Sequence, residues 1–299
     1  MRGLAHHGRP ALVHDPLAAP LLGGTAGAVL AMADRVGPLT RVLLAVLASA
    51  SGGRSRFMSI RTRVLDDVVV GAVAEGIDQL VILGAGFDAR AWRLGELSSC
   101  TVFEVDHPDT QAHKRQRLGD RAPLARDVRF VGVDFEVDSL ATRLTEAGFD
   151  TSRPAVVLWE GVVMYLPEAA IDATLATLAS LLSAGSQVAI SYSRTGAGGT
   201  ALTRRALGVV VGAAGEAFRH HEEPPAMAAR VERAGFSVRW DEGHPDWVPR
   251  LLGQRQGWDI QRIVLSTNGG KGSPPSPPTG PFPPASKLRF PASGARRVG

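Results

Sequence analysis

The spacing of hydrophobic residues changes near residue 75. Before that point, Ala and Leu recur at helical spacing between Gly and Pro breaks. This pattern predicts three or four helices, the last running from Ile60 to Val73. From Gln79 onward, short apolar runs alternate with helical stretches. Such alternation is typical of βαβ units and predicts an α/β fold built on a parallel sheet.

Seven short apolar runs predict the strands of that sheet. They cover residues 80–83, 101–105, 128–133, 155–159, 187–191, 236–240 and 260–266. Helical segments separate most of them, notably Pro167 to Leu182, which has Pro-Glu in its first turn and ends near Gly185. No clear helix separates the last two runs, and we therefore expect a hairpin there. The fold class predicted is α/β, with a mostly parallel sheet of seven strands.

Shifts in composition divide the chain into three parts. Residues 1–75 are expected to form a helical N-terminal cap, and residues 76–267 the main domain, with an insertion at 195–225 after the fifth strand. Residues 268–299 hold eight of the twenty prolines and no acidic residue. We expect this tail to be disordered, because it cannot bury enough surface to offset its ordering entropy.

The overall composition, 44% hydrophobic and 21% charged over 299 residues, is that of a globular protein. The net charge is +4, but the tail holds five basic residues, so the rest of the chain is nearly neutral. Nucleic-acid binding is therefore not expected. Cys100 is the only cysteine in the chain, which excludes an internal disulfide and a cysteine-based zinc cluster.

Neither a membrane span nor a secretory signal is expected. The apolar stretch from Val42 to Ala50 is bounded by Arg41 and a Ser-Gly-Gly break, and it is far shorter than the ~20 residues that cross a bilayer. The first ten residues lack an adjoining apolar region with a small-residue cleavage site. The sequence thus favours a cytoplasmic protein without a membrane partner.

A glycine loop and an acid predict a nucleotide-cofactor site. Gly84 and Gly86 follow the first strand and open a helix, where glycines let the backbone turn tightly beside a cofactor. Asp106 ends the second strand, 22 residues after Gly84, close to the offset at which an acid accepts hydrogen bonds from ribose hydroxyls. A Gly-x-Gly turn without a ligand remains the alternative for the loop alone.

Further candidates end the third and fourth strands. Asp134 could accept a hydrogen bond from an adenine amino group, and the ring of Phe135 could flank the base; the alternative for Asp134 is the N-cap of a helix over residues 136–147. Glu160 ends the fourth strand, where it would lie over the crevice in which ligands of open α/β sheets bind. Its alternative is a solvated loop end.

Two arginines precede the sheet. Arg61 and Arg63 lie on the last helix of the cap, and a guanidinium is a natural clamp for a ligand carboxylate. Surface arginines are common on helices, so a solvated role is the alternative for each.

These fragments, in this order along the chain, resemble the motifs of a known family. The runs RTRVLDD, LGAGFDARAWRL, FEVDHPDTQAHKRQRL, VGVDF and WEGVVMYLPEAAIDATLATLASLL resemble the leucine carboxyl methyltransferase-like family of S-adenosylmethionine-dependent methyltransferases, which includes polyketide-tailoring O-methyltransferases. The resemblance covers about Asp15 to Ser266 and implies a Rossmann-like class I methyltransferase fold. The glycine loop departs from that of many other methyltransferases, because Phe87 and Asp88 stand where those have a third glycine.

The resemblance also implies roles in binding S-adenosyl-L-methionine. The residues and their implied partners are Arg63 for the methionine carboxylate, Gly84 and Gly86 for the methionine moiety, Asp106 for the ribose, Asp134 and Phe135 for the adenine, and Glu160 for the amino end. The implied activity is methyl transfer to a carboxylate or hydroxyl of a small-molecule acceptor. The N-terminal cap and the 195–225 insertion are expected to cover the site as a lid.

The sequence does not single out the catalytic residues. A carboxylate acceptor needs no general base, whereas a hydroxyl would profit from one. The candidate bases are His107, His113, Tyr165, Tyr192, His220, His221 and His244. No metal site is expected at the His220-His221-Glu222-Glu223 run, because adjacent side chains diverge and no further spaced ligands are evident. The alternative functions are an NAD(P)-dependent oxidoreductase and a catalytically inactive binding module of the same fold.

Overall fold

The computed structural model describes residues 12–22, 54–134, 138–194, 220–254, 259 and 261–269. The α-helices within them are α1 (Ala18–Leu22), α2 (Arg54–Ala74), α3 (Arg90–Arg93), α4 (Pro108–Leu118), α5 (Leu140–Glu146), α6 (Glu168–Leu181), α7 (Pro224–Arg233) and α8 (His244–Leu252). The strands are β1 (Gln79–Leu83), β2 (Thr101–Asp106), β3 (Asp127–Gly132), β4 (Val156–Trp159), β5 (Gln187–Ser193), β6 (Ser237–Gly243) and β7 (Gln261–Thr267). Two 3₁₀ turns cover Gly95–Ser99 and Val163–Tyr165.

One seven-stranded sheet has the order β3-β2-β1-β4-β5-β7-β6. Strands β1 to β5 pair in parallel, with Leu83 of β1 opposite Val105 of β2 and Trp159 of β4. Strand β7 runs antiparallel to both of its neighbours, β5 and β6. The seven strands are confirmed, whereas the sheet is mixed and its parallel character is confined to the first five strands.

The segment between β6 and β7 differs from the sequence prediction. The two strands pair antiparallel, as a hairpin would, but helix α8 lies between them. This helix begins directly after β6 and contains Pro245 and Pro249, and these prolines obscured its helical pattern. The expectation that no helix separates the last two strands is therefore wrong.

Helices cover both faces of the sheet and enclose two hydrophobic cores. One core lies under α2, α3 and α8, and the other under α5, α6 and α7. Every residue of β1 and β4 is buried, which explains why these strands appear as continuous apolar runs instead of alternating ones. The carboxyl ends of β1 to β4 therefore lie side by side at one edge of the sheet, between the two layers of helices.

Helix α2 connects the N-terminal part of the chain to the sheet. Its buried apolar side chains recur at helical spacing, and Ile60, Val64 and Val68 are each less than 4% exposed. The helix ends in a Schellman motif, in which the amides of Gly76 and Ile77 donate to carbonyls of the last turn and Gly76 adopts a φ of +93°. This end directs the chain into β1 and places the first half of α2 beside the carboxyl edge of the sheet.

Several predicted segments lie wholly or largely outside the described residues. These are most of the cap before residue 54, residues 195–219 of the insertion, and the tail from residue 270. The lid role therefore stays a prediction. Within the described ranges, no helix is long and apolar enough to cross a membrane.

Candidate active site

The candidate site lies where the strand order of the sheet reverses. Strand β1 has β2 on one side and β4 on the other, so the loops after β1 and β4 leave toward opposite faces and open a crevice at the carboxyl edge. The glycine loop, Asp106, Asp134 and Glu160 follow β1, β2, β3 and β4 in turn. The structure therefore brings these sequence-predicted positions to one edge.

The glycine loop is shaped by two residues with positive φ. Gly84 has a φ of +65°, and a Cβ there would overlap the side chain of Val162, so only glycine fits. Gly86 has a φ of +46°, and among the described residues a Cβ there would meet only the carbonyl of Gly84, at 3.9 Å. The loop is thus packed tightly on the β4 side and open beside Gly86, where a ligand could approach the backbone.

Asp106 joins the end of β2 to this loop. Its Oδ2 accepts a hydrogen bond from the amide of Gly86 at 2.6 Å, and its Oδ1 accepts one from the amide of His107 at 2.7 Å. A carboxylate offers about four acceptor positions, so these two bonds orient the group and leave acceptor capacity for a diol. Two residues 20 positions apart in the chain thus form one unit of the site.

Asp134 is not the N-cap of helix α5. Helix α5 begins at Leu140, and its N-cap is Ser139, whose Oγ accepts from the amide of Thr142 at 3.3 Å. The amide of Asp134 instead donates to Oδ2 of Asp138 at 3.0 Å. Helix α5 therefore starts later than the expected residue 136 and has a different N-cap, while residues 135–137, directly after Asp134, lie outside the described residues. Phe135 lies outside the described residues.

Glu160 is buried and held by two arginines. It is 8% exposed, which excludes the solvated-loop alternative. Its Oε1 accepts from Nε and Nη2 of Arg61 at 3.1 and 2.9 Å, and its Oε2 lies 2.8 Å from Nη2 of Arg90. Arg61 also donates through Nη1 to Gln261 of β7 at 2.7 Å. This carboxylate is therefore tied to α2, α3 and the far half of the sheet.

Arg90 is the centre of a buried cluster that the sequence analysis did not detect. The cluster contains three guanidinium groups and three carboxylates, those of Arg61, Arg90, Arg93, Asp66, Asp88 and Glu160. Arg90 is fully buried and pairs with Asp66 at 2.8 Å, with Asp88 and with Glu160. Burial lowers the pKa of Arg90, but the three carboxylates outweigh it and raise the pKa well above its ordinary value. The charges balance, which permits such a cluster inside the fold.

Arg63 lies apart from this cluster. Its Nε donates to Oδ1 of Asp67 at 2.8 Å, one helical turn along α2. Arg61, not Arg63, is the arginine that the structure brings next to Glu160. The role that the resemblance implies for Arg63 stays a prediction.

A second buried ion pair lies directly below Asp106. Glu104 and Lys114 are each 1% exposed, and Nζ of Lys114 lies 2.5 Å from Oε2 of Glu104. Burial raises the pKa of Glu104 to about 7, although the attraction of Lys114 opposes the shift. The other oxygen, Oε1, has no hydrogen-bond partner among the described residues. A carboxyl group two positions before Asp106 is thus close to titration at neutral pH.

The structure separates the candidate bases by environment. Tyr192 donates a hydrogen bond to Oδ2 of Asp241 at 2.6 Å. Burial is the largest cause that raises the pKa of Tyr192 far above the ordinary value, and this hydrogen bond is the second. His244 is fully buried and stacked on Phe57 with ring centroids 3.8 Å apart, and burial lowers its pKa to about 4. Neither side chain has a pKa near neutral, where a general base works best.

The other candidates differ in burial. His107, which begins α4, and His113, within α4, are exposed, as is His221, whereas Tyr165 is half-buried. His220 is buried, with its Nε2 2.9 Å from Oε2 of Glu222. No group of three or more His, Cys, Asp or Glu that could hold a metal ion occurs in the described part of the chain.

Comparison with known proteins places the chain in a family. A family model described as leucine carboxyl methyltransferase matches residues 1–179. Three relatives bear the name "Putative S-adenosyl-L-methionine-dependent methyltransferase". Those of Mycolicibacterium smegmatis, Mycolicibacterium paratuberculosis and Streptomyces coelicolor are 39%, 33% and 43% identical, over 63%, 94% and 46% of this chain. The matches span 62%, 88% and 46% of those relatives, so two of them are covered over less than two thirds of their length.

Solved structures share the fold at low sequence identity. A DUF574 family protein from Streptomyces avermitilis matches 77% of this chain and 90% of its own, with a TM-score of 0.56 and 17% identity. A protein from Thermobifida fusca, described as "a putative methyltransferase", matches 87% and 98%, with a TM-score of 0.55 and 17% identity. The fold is that of the α/β methyltransferases. The chain itself belongs to the leucine carboxyl methyltransferase family, as its sequence motifs predicted.

Proposed function

We propose that this protein is an S-adenosyl-L-methionine-dependent methyltransferase that methylates an oxygen atom, of a carboxylate or a hydroxyl, on a small molecule. The observation that carries the proposal is the unit formed by Asp106 and Gly86 at the switch point of the sheet. It combines an oriented carboxylate with an open backbone position, which suits a ribose and the chain attached to it. The family membership supports the same activity.

The residues present fit the chemical groups of this cofactor. Asp106 would hold the ribose hydroxyls, and Asp134, at the end of the next strand, the adenine amino group. The backbone beside Gly84 and Gly86 would lie along the methionine moiety. Glu160, fixed by Arg61 and Arg90, would lie near the amino end.

When bound, S-adenosyl-L-methionine supplies a methyl group activated by a sulfonium centre. The contribution of the chain is to bind and orient the two reactants and to exclude water, which brings the acceptor oxygen within reach of that carbon. The neutral cluster around Arg90 suits this task, because charged side chains that are paired in a buried network keep a fixed geometry.

The sheet favours a methyltransferase over an NAD(P)-dependent oxidoreductase. The classic dinucleotide-binding sheet has the order 3-2-1-4-5-6 with parallel strands, whereas here the antiparallel strand β7 lies between β5 and β6.

Calorimetric titration with S-adenosylhomocysteine tests the cofactor, with NAD(H) and NADP(H) titrated in parallel. We expect binding of S-adenosylhomocysteine alone. Asp106→Ala should weaken it by about 1.5 to 3 kcal/mol, the range for a hydrogen bond to a charged group. Asp120→Ala, which removes an exposed carboxylate beyond the end of α4, is the matched control and should leave the affinity unchanged.

Three other results would count against the proposal. Binding of a nicotinamide dinucleotide instead would favour the oxidoreductase. Binding of none of these ligands would favour an inactive module of the same fold. Unchanged affinity in Asp106→Ala would show that the ribose lies elsewhere.

A further inference from the structure

We infer that His220 is the general base of this enzyme, held by Glu222, and that the acceptor is consequently a hydroxyl compound, a phenol or an alcohol, and not a carboxylate. The inference rests on the proposed methyl transfer to oxygen and narrows its acceptor class. It is carried by the position of residues 220–222, by the geometry of the pair and by the charges around it.

Backbone hydrogen bonds fix this segment across the carboxyl ends of β4 and β5. The amide of His220 donates to the carbonyl of Met164 at 3.1 Å, in the turn that follows Glu160. The amide of Glu222 donates to the carbonyl of Ser193 at 3.0 Å, at the last residue of β5. His220 is thus attached to the same edge of the sheet as the candidate cofactor residues, on the side away from Asp106 and Asp134.

The pair has the geometry that prepares a histidine to accept a proton. Nε2 of His220 lies 2.9 Å from Oε2 of Glu222, and the two residues are 6% and 8% exposed. A hydrogen bond from Nε2–H to the carboxylate selects the tautomer with the lone pair on Nδ1. Nδ1 makes no hydrogen bond to any residue that the structure describes, so it is left as the acceptor nitrogen.

The surrounding charges hold the carboxylate of Glu222 in place. Nε of Arg230 donates to both oxygens of Glu222 at 3.1 Å, and Arg230 in turn pairs with Asp172 and with Glu168 of α6. The carboxylate of Glu222 is therefore held by one guanidinium, which two further carboxylates anchor to α6.

The proposed step balances around the acceptor oxygen. The O–H bond breaks and its proton forms an N–H bond at Nδ1 of His220. The oxygen lone pair forms a bond to the methyl carbon while the carbon–sulfur bond breaks and leaves its electron pair on sulfur. The imidazolium then releases the proton to water. An acceptor carboxylate is already ionised at neutral pH and would make no use of this base.

The test uses the full chain with methyl-labelled S-adenosyl-L-methionine and three probes: 4-cresol, 4-nitrophenol and benzoic acid, together with a metabolite extract of bacterial cells. Mild alkali releases the label from methyl esters but not from methyl ethers, so the product class is read without knowing the acceptor. We expect alkali-stable products. His220→Gln should lower kcat/KM for 4-cresol about a hundredfold or more, and much less for 4-nitrophenol, which is largely ionised at mildly alkaline pH.

Controls separate catalysis from folding and from cofactor binding. His220→Gln should bind S-adenosylhomocysteine within twofold of the wild type, and Glu232→Gln, on the exposed side of α7, should match the wild type throughout. If His220→Gln does not fold, Glu222→Gln provides the test. Glu222→Gln should move the acidic limb of the kcat/KM profile for 4-cresol to lower pH, because the imidazolium loses its anionic partner.

Each other outcome is decisive. Equal loss on both phenols, or a pH profile that does not move, would assign His220 a structural role. Label found only in alkali-labile products would overturn the inference and leave the proposed methyl transfer standing. Binding of S-adenosylhomocysteine without transfer to any probe or extract component would overturn the proposed activity, and the inference with it.

Discussion

The carboxylates at the ends of β2 and β3 differ in kind from the carboxylate at the end of β4. Asp106 is partly exposed and is oriented by backbone amides of the adjacent loop and helix. Glu160 is buried and is compensated by arginines from two different helices. All of these acids lie at the carboxyl ends of strands, on one edge of the sheet. Only Glu160 is buried there and needs positive charges beside it.

This difference shows how one edge serves two purposes. A partly exposed carboxylate that is bonded to main-chain amides retains acceptor capacity, so it can bind and release a ligand. A buried carboxylate whose oxygens pair with arginines forms part of the framework, and its removal leaves uncompensated charge inside the protein. We therefore expect substitutions on the β2 and β3 side to change affinity, and those around Glu160 to change stability.

The largest effect is expected for Arg90→Met, which leaves the carboxylates of Asp66, Asp88 and Glu160 without their shared cation. The free energy of unfolding should fall by about 3 to 5 kcal/mol, the cost of breaking a buried ion pair. Urea unfolding measures the loss. Arg63→Met, which removes an arginine from the half-buried pair with Asp67, is the control. Equal losses in both variants would show that the cluster is not the framework that we describe.

Glu104 should make stability depend on pH. Its native pKa of about 7 exceeds the ordinary 4.5, so the native state binds more protons than the unfolded chain between these values. Its contribution to stability therefore falls as pH rises from about 4.5 to about 7, by at most about 3 kcal/mol. Urea unfolding of the wild type and of Glu104→Gln at pH 5 and pH 7.5 measures it.

His244 acts in the opposite direction. Its pKa of about 4 lies below the ordinary 6.5, so its contribution to stability is lost as pH falls from about 6.5 to about 4. The difference in the free energy of unfolding between the wild type and Glu104→Gln reports on the carboxyl group of Glu104 alone, because both proteins retain His244. A difference that does not change with pH would show that Glu104 stays ionised.

Ser139→Ala and Asp134→Ala should separate a structural role from a binding role on the β3 side. Removing the N-cap of α5 should lower the free energy of unfolding by about 1 kcal/mol without changing the affinity for S-adenosylhomocysteine. Asp134→Ala should weaken the affinity and leave stability nearly unchanged. Thermal unfolding and calorimetry measure the two effects. A loss of stability without a loss of affinity in Asp134→Ala would favour the N-cap alternative for that residue.

The smallest effect is expected for Arg63→Gln. An ion pair one helical turn apart contributes about 0.3 to 0.5 kcal/mol, so urea unfolding should show little change. We expect the affinity for S-adenosylhomocysteine to change less than twofold, because the structure joins Arg63 to Asp67 and brings Arg61 to the edge. A loss of tenfold or more would instead support the role that the resemblance implies for Arg63.

The local pattern of the sequence predicts the elements well. The seven strands lie within three residues of their expected bounds at each end, and the helix expected from Pro167 to Leu182 spans Glu168–Leu181. The glycine loop, Asp106 and Glu160 were located because each directly follows an apolar run. Helix α8 was missed because its two prolines interrupt the helical pattern.

The partners of the charged residues could not be predicted in the same way. Arg61 contacts Gln261 across 200 positions of the chain, and Glu160 across 99. Nothing in RTRVLDD distinguishes Arg61, which joins the buried cluster, from Arg63, which pairs with its own helix. The choice of His220 among seven candidate bases likewise depends on Glu222 and on backbone bonds to β5 and to the turn after β4.

The sequence by itself determined the order of helices and strands, the family, and the acids that end the strands, because each is encoded by neighbouring residues through hydrophobic spacing and turn chemistry. Only the tertiary structure decided the mixed direction of the sheet, the burial of Glu160 and the environment of His220. The physical reason is that ion pairing and burial depend on which groups the packed layers bring within a few ångströms. The number of residues between two groups in the sequence does not determine that distance.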